Sequence, residues 1–101
     1  MEYKYKIWVG NNPDLNREIQ ELLFELGYYW DHLKKKDNDG KRFTHDSALC
    51  LRISKNDTIS CIKPHSGLRM PDTYKETNAT VLTLSDLRRM TNKDINYEVY
   101  Y

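Results

Sequence analysis

Residues 2–27 read EYKYKIWVGNNPDLNREIQELLFELG. Within residues 2–9, Tyr3, Tyr5, Ile7 and Val9 alternate with Lys4, Lys6 and Trp8, the period of two that sends successive side chains to opposite faces of a strand. Gly10 to Pro13 breaks that pattern. Asn12 can cap a helix, Pro13 suits its first position, and Asp14 sits beside its positive end. Leu15, Ile19, Leu22, Leu23 and Leu26 then recur at a spacing that confines them to a stripe about 100° wide. Gly27 stands where a helix ends in the left-handed conformation. The stretch therefore predicts a strand followed by a helix over about 13–26 that lays one face on a sheet. Phe24, about 180° from Leu15 on the helical wheel, is the apolar residue that the stripe leaves out.

Downstream, Tyr28-Tyr29-Trp30 reads as a short aromatic segment re-entering the sheet. Asp31 to Thr44, with Lys34-Lys35-Lys36, Asp37-Asn38-Asp39-Gly40 and Lys41-Arg42, is too polar and turn-rich for a core and reads as a surface loop. Leu49, Leu51 and Ile53 alternate within Ser47–Ser54, and Ile59, Cys61 and Ile62 fall within Thr58–Lys63. A three-residue connection, Lys55-Asn56-Asp57, sets Ile53 opposite Ile59 and Leu51 opposite Cys61, matching one core face to the other. Pro64 to Asn78 has no periodicity and reads as a long loop, a length that in compact domains is usually functional or disordered. Ala79 to Leu84 is a β-branched strand. Ser85 is placed to cap a short helix ending near Met90, with Leu87 and Met90 inward. The tail alternates Ile95, Tyr97, Val99 and Tyr101, which suits an edge strand or pairing with a second copy.

These elements predict an α+β fold: one small domain over residues 1–91, an antiparallel or mixed sheet of about four to five strands, one main helix on one face and a short C-terminal helix at about 85–90. Residues 92–101 form a tyrosine-rich tail or edge strand. With 101 residues there is room for one domain. Hydrophobic side chains make up only 39 % of the chain, so the core is small and relies on tyrosines, which bury a ring while the hydroxyl finds a partner. No apolar run approaches a membrane span, and the N-terminus lacks a signal-peptide pattern, which reads as a soluble intracellular protein. A net charge of +1 suits neither a DNA mimic nor a basic nucleic-acid coat.

Catalytic and metal chemistry find little footing in these residues. His32, His45, His65, Cys50 and Cys61 carry ligand atoms, yet none has metal-ligand spacing, and the hairpin register sends the two cysteines to opposite faces. No metal and no cofactor is expected. There is no nucleophile elbow, Walker motif or dinucleotide fingerprint, and the neighbours His65 and Ser66 make a weak dyad. No catalytic residue is assigned. Binding is easier to motivate. His65, Ser66, Gly67 and Arg69 combine cationic side chains, a hydroxyl and a permissive backbone that could cradle a phosphate, with Trp8 or Trp30 as stacking platforms for a base. For a protein partner, Phe24 with the Tyr97, Val99 and Tyr101 edge would carry the contact, and edge pairing also allows a homodimer or higher oligomer. The alternative is nucleic-acid binding through Lys34, Lys35, Lys36, Lys41 and Arg42, whose field nearby aspartates partly cancel.

The order Ile7-Trp-Val-Gly, then Leu15 to Gln20, then Leu23-Phe-Glu-Leu-Gly-Tyr-Tyr-Trp30, with Thr83-Leu-Ser-Asp-Leu87 later, resembles small accessory proteins of tailed bacteriophages. The Lys, Asn, Asp and Tyr richness is similar to that of T-even-type early proteins. The resemblance covers residues 7–30 and 79–88. It implies a protein of the host bacterial cytoplasm that serves host takeover or counter-defence. It further implies a non-enzymatic inhibitor acting stoichiometrically, by binding a host protein or sequestering a nucleotide second messenger, with no role at a membrane.

Overall fold

A computed structural model describes residues 2–33, 40–45, 47–62 and 71–92. Strand β1 (Tyr3–Trp8) leads into helix α1 (Pro13–Glu25), and β2 (Tyr29–Trp30) follows, running into a single 3-10 turn over Asp31–Leu33. The hairpin β3 (Cys50–Ser54) and β4 (Thr58–Ile62), helix α2 (Asp72–Glu76), β5 (Thr80–Leu82) and helix α3 (Leu84–Met90) complete the order. The five strands form one sheet in the order β2-β4-β3-β1-β5. β3 is antiparallel to both β1 and β4, while β2 is parallel to β4 and β5 to β1. The sheet is therefore mixed, with β3 alone opposing the other four.

Local chemistry sets the element ends. The Asn12 side chain accepts from the Leu15 amide at 3.0 Å, with Pro13 in the first turn. At the other end Gly27 has φ +97°, and the amides of Gly27 and Tyr28 donate to the carbonyls of Phe24 and Leu23 at 3.0 Å each. That is the Schellman closure, which needs a residue free to adopt left-handed φ. The three-residue hairpin turn holds: Ile53 faces Ile59, Leu51 faces Cys61, and Asp57, at φ 66°, takes the left-handed last position of such a loop.

One face of the sheet carries the main core. Ile7, Val9, Leu51, Ile53, Ile59 and Trp30 pack there with Ile19, Leu22 and Leu23 of α1 and Leu87 of α3. Fully burying one such aliphatic side chain contributes roughly 1.5–3 kcal/mol. The other face holds a smaller cluster in which Leu49, Cys50, Ile62 and half-buried Trp8 pack with Tyr74 of α2. The sheet is thus covered on both sides.

Four details depart from the sequence reading. α2 lies inside the stretch expected to be a structureless loop; with Tyr74 its one buried side chain, it has no stripe to read. The α3 cap is Thr83 and not Ser85, because Thr83 and Asp86 complete a reciprocal capping box. Met90 is 40 % exposed, so the inward residues of that helix are buried Leu87 and half-buried Leu84. Strict alternation also fails twice. A bulge between Tyr3 and Tyr5 turns Tyr3 toward the α2 side, where the Arg52 guanidinium lies over its ring. Leu49, just before β3, joins the Trp8 cluster instead of that of Leu51, where its carbonyl takes the amides of both Val9 and Gly10.

Candidate functional site

Two carboxamides on the flank of α1 organise a hydrogen-bonded surface of the chain. Asn16 and Gln20 are spaced i, i+4 beside the apolar stripe and are both buried. Buried amides must find partners, since an orphaned donor or acceptor costs about 1–3 kcal/mol. Gln20 Oε1 accepts from the Trp30 indole N–H at 3.1 Å and from the Thr44 amide at 3.3 Å, while Gln20 Nε2 donates to the Thr44 carbonyl at 2.7 Å and to Asn16 Oδ1. Asn16 Nδ2 donates to the carbonyls of His45 and Ala48 at 3.1 and 3.2 Å. One helix flank thereby holds the backbone of Thr44, His45 and Ala48 against the core.

Gly40 fixes the same segment from its other end. At φ +82° it packs on the Trp30 backbone so closely that a Cβ would lie 2.5 Å from the Trp30 carbonyl oxygen. His45 sits at φ 54°, an uncommon conformation for a side chain of its size, held here by the network around it. Its ring is 4.8 Å from that of Trp30 and 5.3 Å from that of His32.

Between the packed Gly40 and the hydrogen-bonded Thr44 stands Phe43. Its ring lies 5.7 Å from that of Phe24 and carries the Arg17 guanidinium 4.2 Å from its centroid, within cation–π range. Phe43 nonetheless remains 38 % exposed, and Lys41 and Arg42 beside it are exposed. A cleft of about 320 Å³ runs along this ledge, lined by Asp14, Arg17, Gln20, Phe43, Thr44 and His45 among others. An apolar edge, cations and hydrogen-bonding groups on a fixed frame suit binding.

The residues singled out from sequence fare unevenly. Trp30 is 1 % exposed and donates its indole N–H to Gln20, so it is a core residue and offers no stacking face. Trp8 faces α2, its ring 5.9 Å from that of Tyr74, and packs in the second cluster instead of pointing outward. Phe24 is half-buried against the main core and Phe43, so the exposed apolar edge belongs to Phe43. His65, Ser66, Gly67, Arg69, Lys34, Lys35, Lys36, Tyr97, Val99 and Tyr101 lie outside the described residues. Sequence reasoning missed Asn16, Gln20, Phe43 and the loop they organise. The available signal was the i, i+4 pair of amides bordering an apolar stripe.

Among the described residues no group of three or more His, Cys, Asp or Glu is placed to hold a metal ion, and no helix is long and apolar enough to cross a membrane. Burial pushes the Cys50 thiol up to about 11, which leaves it protonated and a poor nucleophile near neutral pH. No family model, curated protein or solved structure matches the chain.

Proposed function

We propose that the chain is a non-enzymatic binding protein that engages its partner stoichiometrically through the Phe43 ledge. The observation that carries this is an exposed aromatic edge clamped between Arg17 and Phe24 on a segment hydrogen-bonded to buried Gln20 and Asn16. Such a surface loses little conformational freedom on binding, which favours affinity. The flanking Lys41, Arg42 and Arg17 suit a partner that is acidic at its rim. The resemblance of residues 7–30 and 79–88 to phage accessory proteins supports a host bacterial target, either a protein of the defence apparatus or a captured nucleotide.

The test is native mass spectrometry of the chain recovered under mild conditions from bacterial cells. A one-to-one adduct, protein or small molecule, that disappears in Phe43→Ala and weakens in Arg17→Ala is the expected result. Turnover of any offered substrate, or an adduct indifferent to both changes, contradicts the proposal. The exposure of Lys41 and Arg42 favours one second reading, nucleic-acid binding. It requires affinity that falls steeply with salt, and binding unchanged between low salt and about 0.2 M excludes it.

A further inference from the structure

The two edges of the sheet are guarded unequally. At one, β2 is backed by Gly40, which stands so near that a Cβ on it would lie 2.5 and 3.0 Å from the carbonyl oxygen and amide nitrogen of Trp30. At the other, among the described residues no strand lies outside β5, and beyond its ladder with β1 no main-chain hydrogen bond reaches Thr80, Val81 or Leu82. Alternate residues of a strand send their main-chain groups to opposite sides, so the outer side of β5 presents groups ready to pair. Natural edges are commonly protected by charge, proline or a bulge. Residues 77–85, Thr-Asn-Ala-Thr-Val-Leu-Thr-Leu-Ser, hold no charge and no proline. β5 pairs with β1 without a bulge, and Val81 is 53 % exposed.

A strand suited to this edge is present in the chain itself. Residues 93–101 lie outside the described residues and follow Asn92, which at φ 63° comes just after the end of α3. Ile95, Tyr97, Val99 and Tyr101 alternate there with Asn96, Glu98 and Tyr100, the pattern of a strand with one apolar face. Topology decides whose β5 this segment meets. β1 and β2 are parallel and joined by α1 on the main-core face. β4 and β5 are parallel and joined through α2 on the other face, with the chain moving the opposite way across the sheet. The two crossovers therefore share one hand, which for parallel strands is right-handed in about 98 % of cases. α3 lies on the main-core face through Leu87, so a parallel strand laid outside the chain's own β5 would cross with the opposite hand. An antiparallel one would first have to climb back the roughly 10 Å of a seven-residue helix, using up residues that would pair. The β5 edge of a second copy carries neither restriction.

We propose that the 95–101 segment of one copy adds a strand to the β5 edge of a second copy, and that the exchange is reciprocal, which closes a two-fold dimer. The apolar row of the segment then extends the face on which Val81 is exposed, since Leu82 on the other face is already buried. This surface is separate from the Phe43 ledge. The experiment is sedimentation equilibrium of the full chain between about 1 µM and 1 mM, joined to isotope-filtered NOE spectra of a mixture of labelled and unlabelled copies. A concentration-dependent dimer is expected, with cross-peaks between the Val81 methyls of one copy and Tyr97 or Tyr101 of the other. Val81→Lys sets a charge on the edge. Glu98→Pro combined with Val99→Pro removes two consecutive amides, one of which faces the partner whichever way the segment lies. Each variant should weaken self-association at least about tenfold while its near-ultraviolet circular dichroism stays that of the wild type. If Val81→Lys fails to fold, the double proline variant, which leaves the described core untouched, carries the test. A wild-type chain that stays monomeric throughout that range overturns the proposal, whether its tail amides exchange freely or are protected by pairing within one copy or with another protein. A dimer of undiminished affinity in the double proline variant overturns it equally.

Discussion

The Gln20 carboxamide meets the Trp30 indole, both backbone groups of Thr44 and the Asn16 side chain, so replacing it by leucine strands several buried polar groups at once. We expect Gln20→Leu to cost roughly 3 kcal/mol in urea unfolding followed by tryptophan fluorescence, given about 1–3 kcal/mol per orphaned group. Exposed Glu21 next to it, changed to Ala, should stay within about 0.5 kcal/mol. A loss under about 1 kcal/mol in Gln20→Leu would mean that the network is incidental. Two glycines separate conformational strain from crowding. Gly27 has φ +97° and open space where a Cβ would go, whereas Gly40 has φ +82° and the Trp30 backbone at 2.5 Å. Gly27→Ala should cost about 1–2 kcal/mol, the price of left-handed backbone. Gly40→Ala should cost more by the added clash, and equal losses in chemical denaturation would contradict that packing.

At the scale of elements, α3 offers a clean contrast between two hydroxyl residues. Thr83 Oγ1 accepts from the Asp86 amide at 3.2 Å, and Asp86 Oδ2 accepts from the Thr83 amide at 2.9 Å. Thr83→Ala should therefore cost about 1 kcal/mol and Ser85→Ala almost nothing, both measured by thermal unfolding. The Thr83 amide, reinforced by its hydroxyl, holds the Asp86 carboxyl below its usual value. A lowered folded-state pKa contributes stability that is fully present above the unfolded value of about 3.9 and is lost as pH falls through the lower folded value. Asp86→Asn should flatten that acid limb and lower the stability of α3 by a constant amount above it, as read by amide exchange in α3.

These elements also show what a sequence makes legible. α1 carries a cap, a stripe and a terminal glycine, all local, and each feature was read where it stands. The hairpin register followed from matching Ile53 with Ile59. α2 escaped because one buried side chain sets no period. Ser85 and Thr83 both offer a hydroxyl ahead of α3, but only Thr83 has an acid three residues on, so the local capping-box rule selects Thr83.

At the scale of the molecule, helices on both faces of the sheet explain why Trp8 and Trp30, plausible as exposed platforms, are instead packed. The ledge was largely illegible for the same kind of reason. Lys41 and Arg42 are visible as charges, but Phe43 gains meaning only when Gln20 draws Thr44, 24 residues further along the chain, against α1. Long-range hydrogen bonds leave no period and no motif. The measurement that bears most directly on the proposed function compares native mass spectra of wild-type and Phe43→Ala chains recovered from the same bacterial cells, with folding of both verified by near-ultraviolet circular dichroism. The account predicts a one-to-one complex with the wild type and bare Phe43→Ala protein of unchanged fold. A complex that survives in Phe43→Ala, or a wild-type chain that carries no partner, would contradict it.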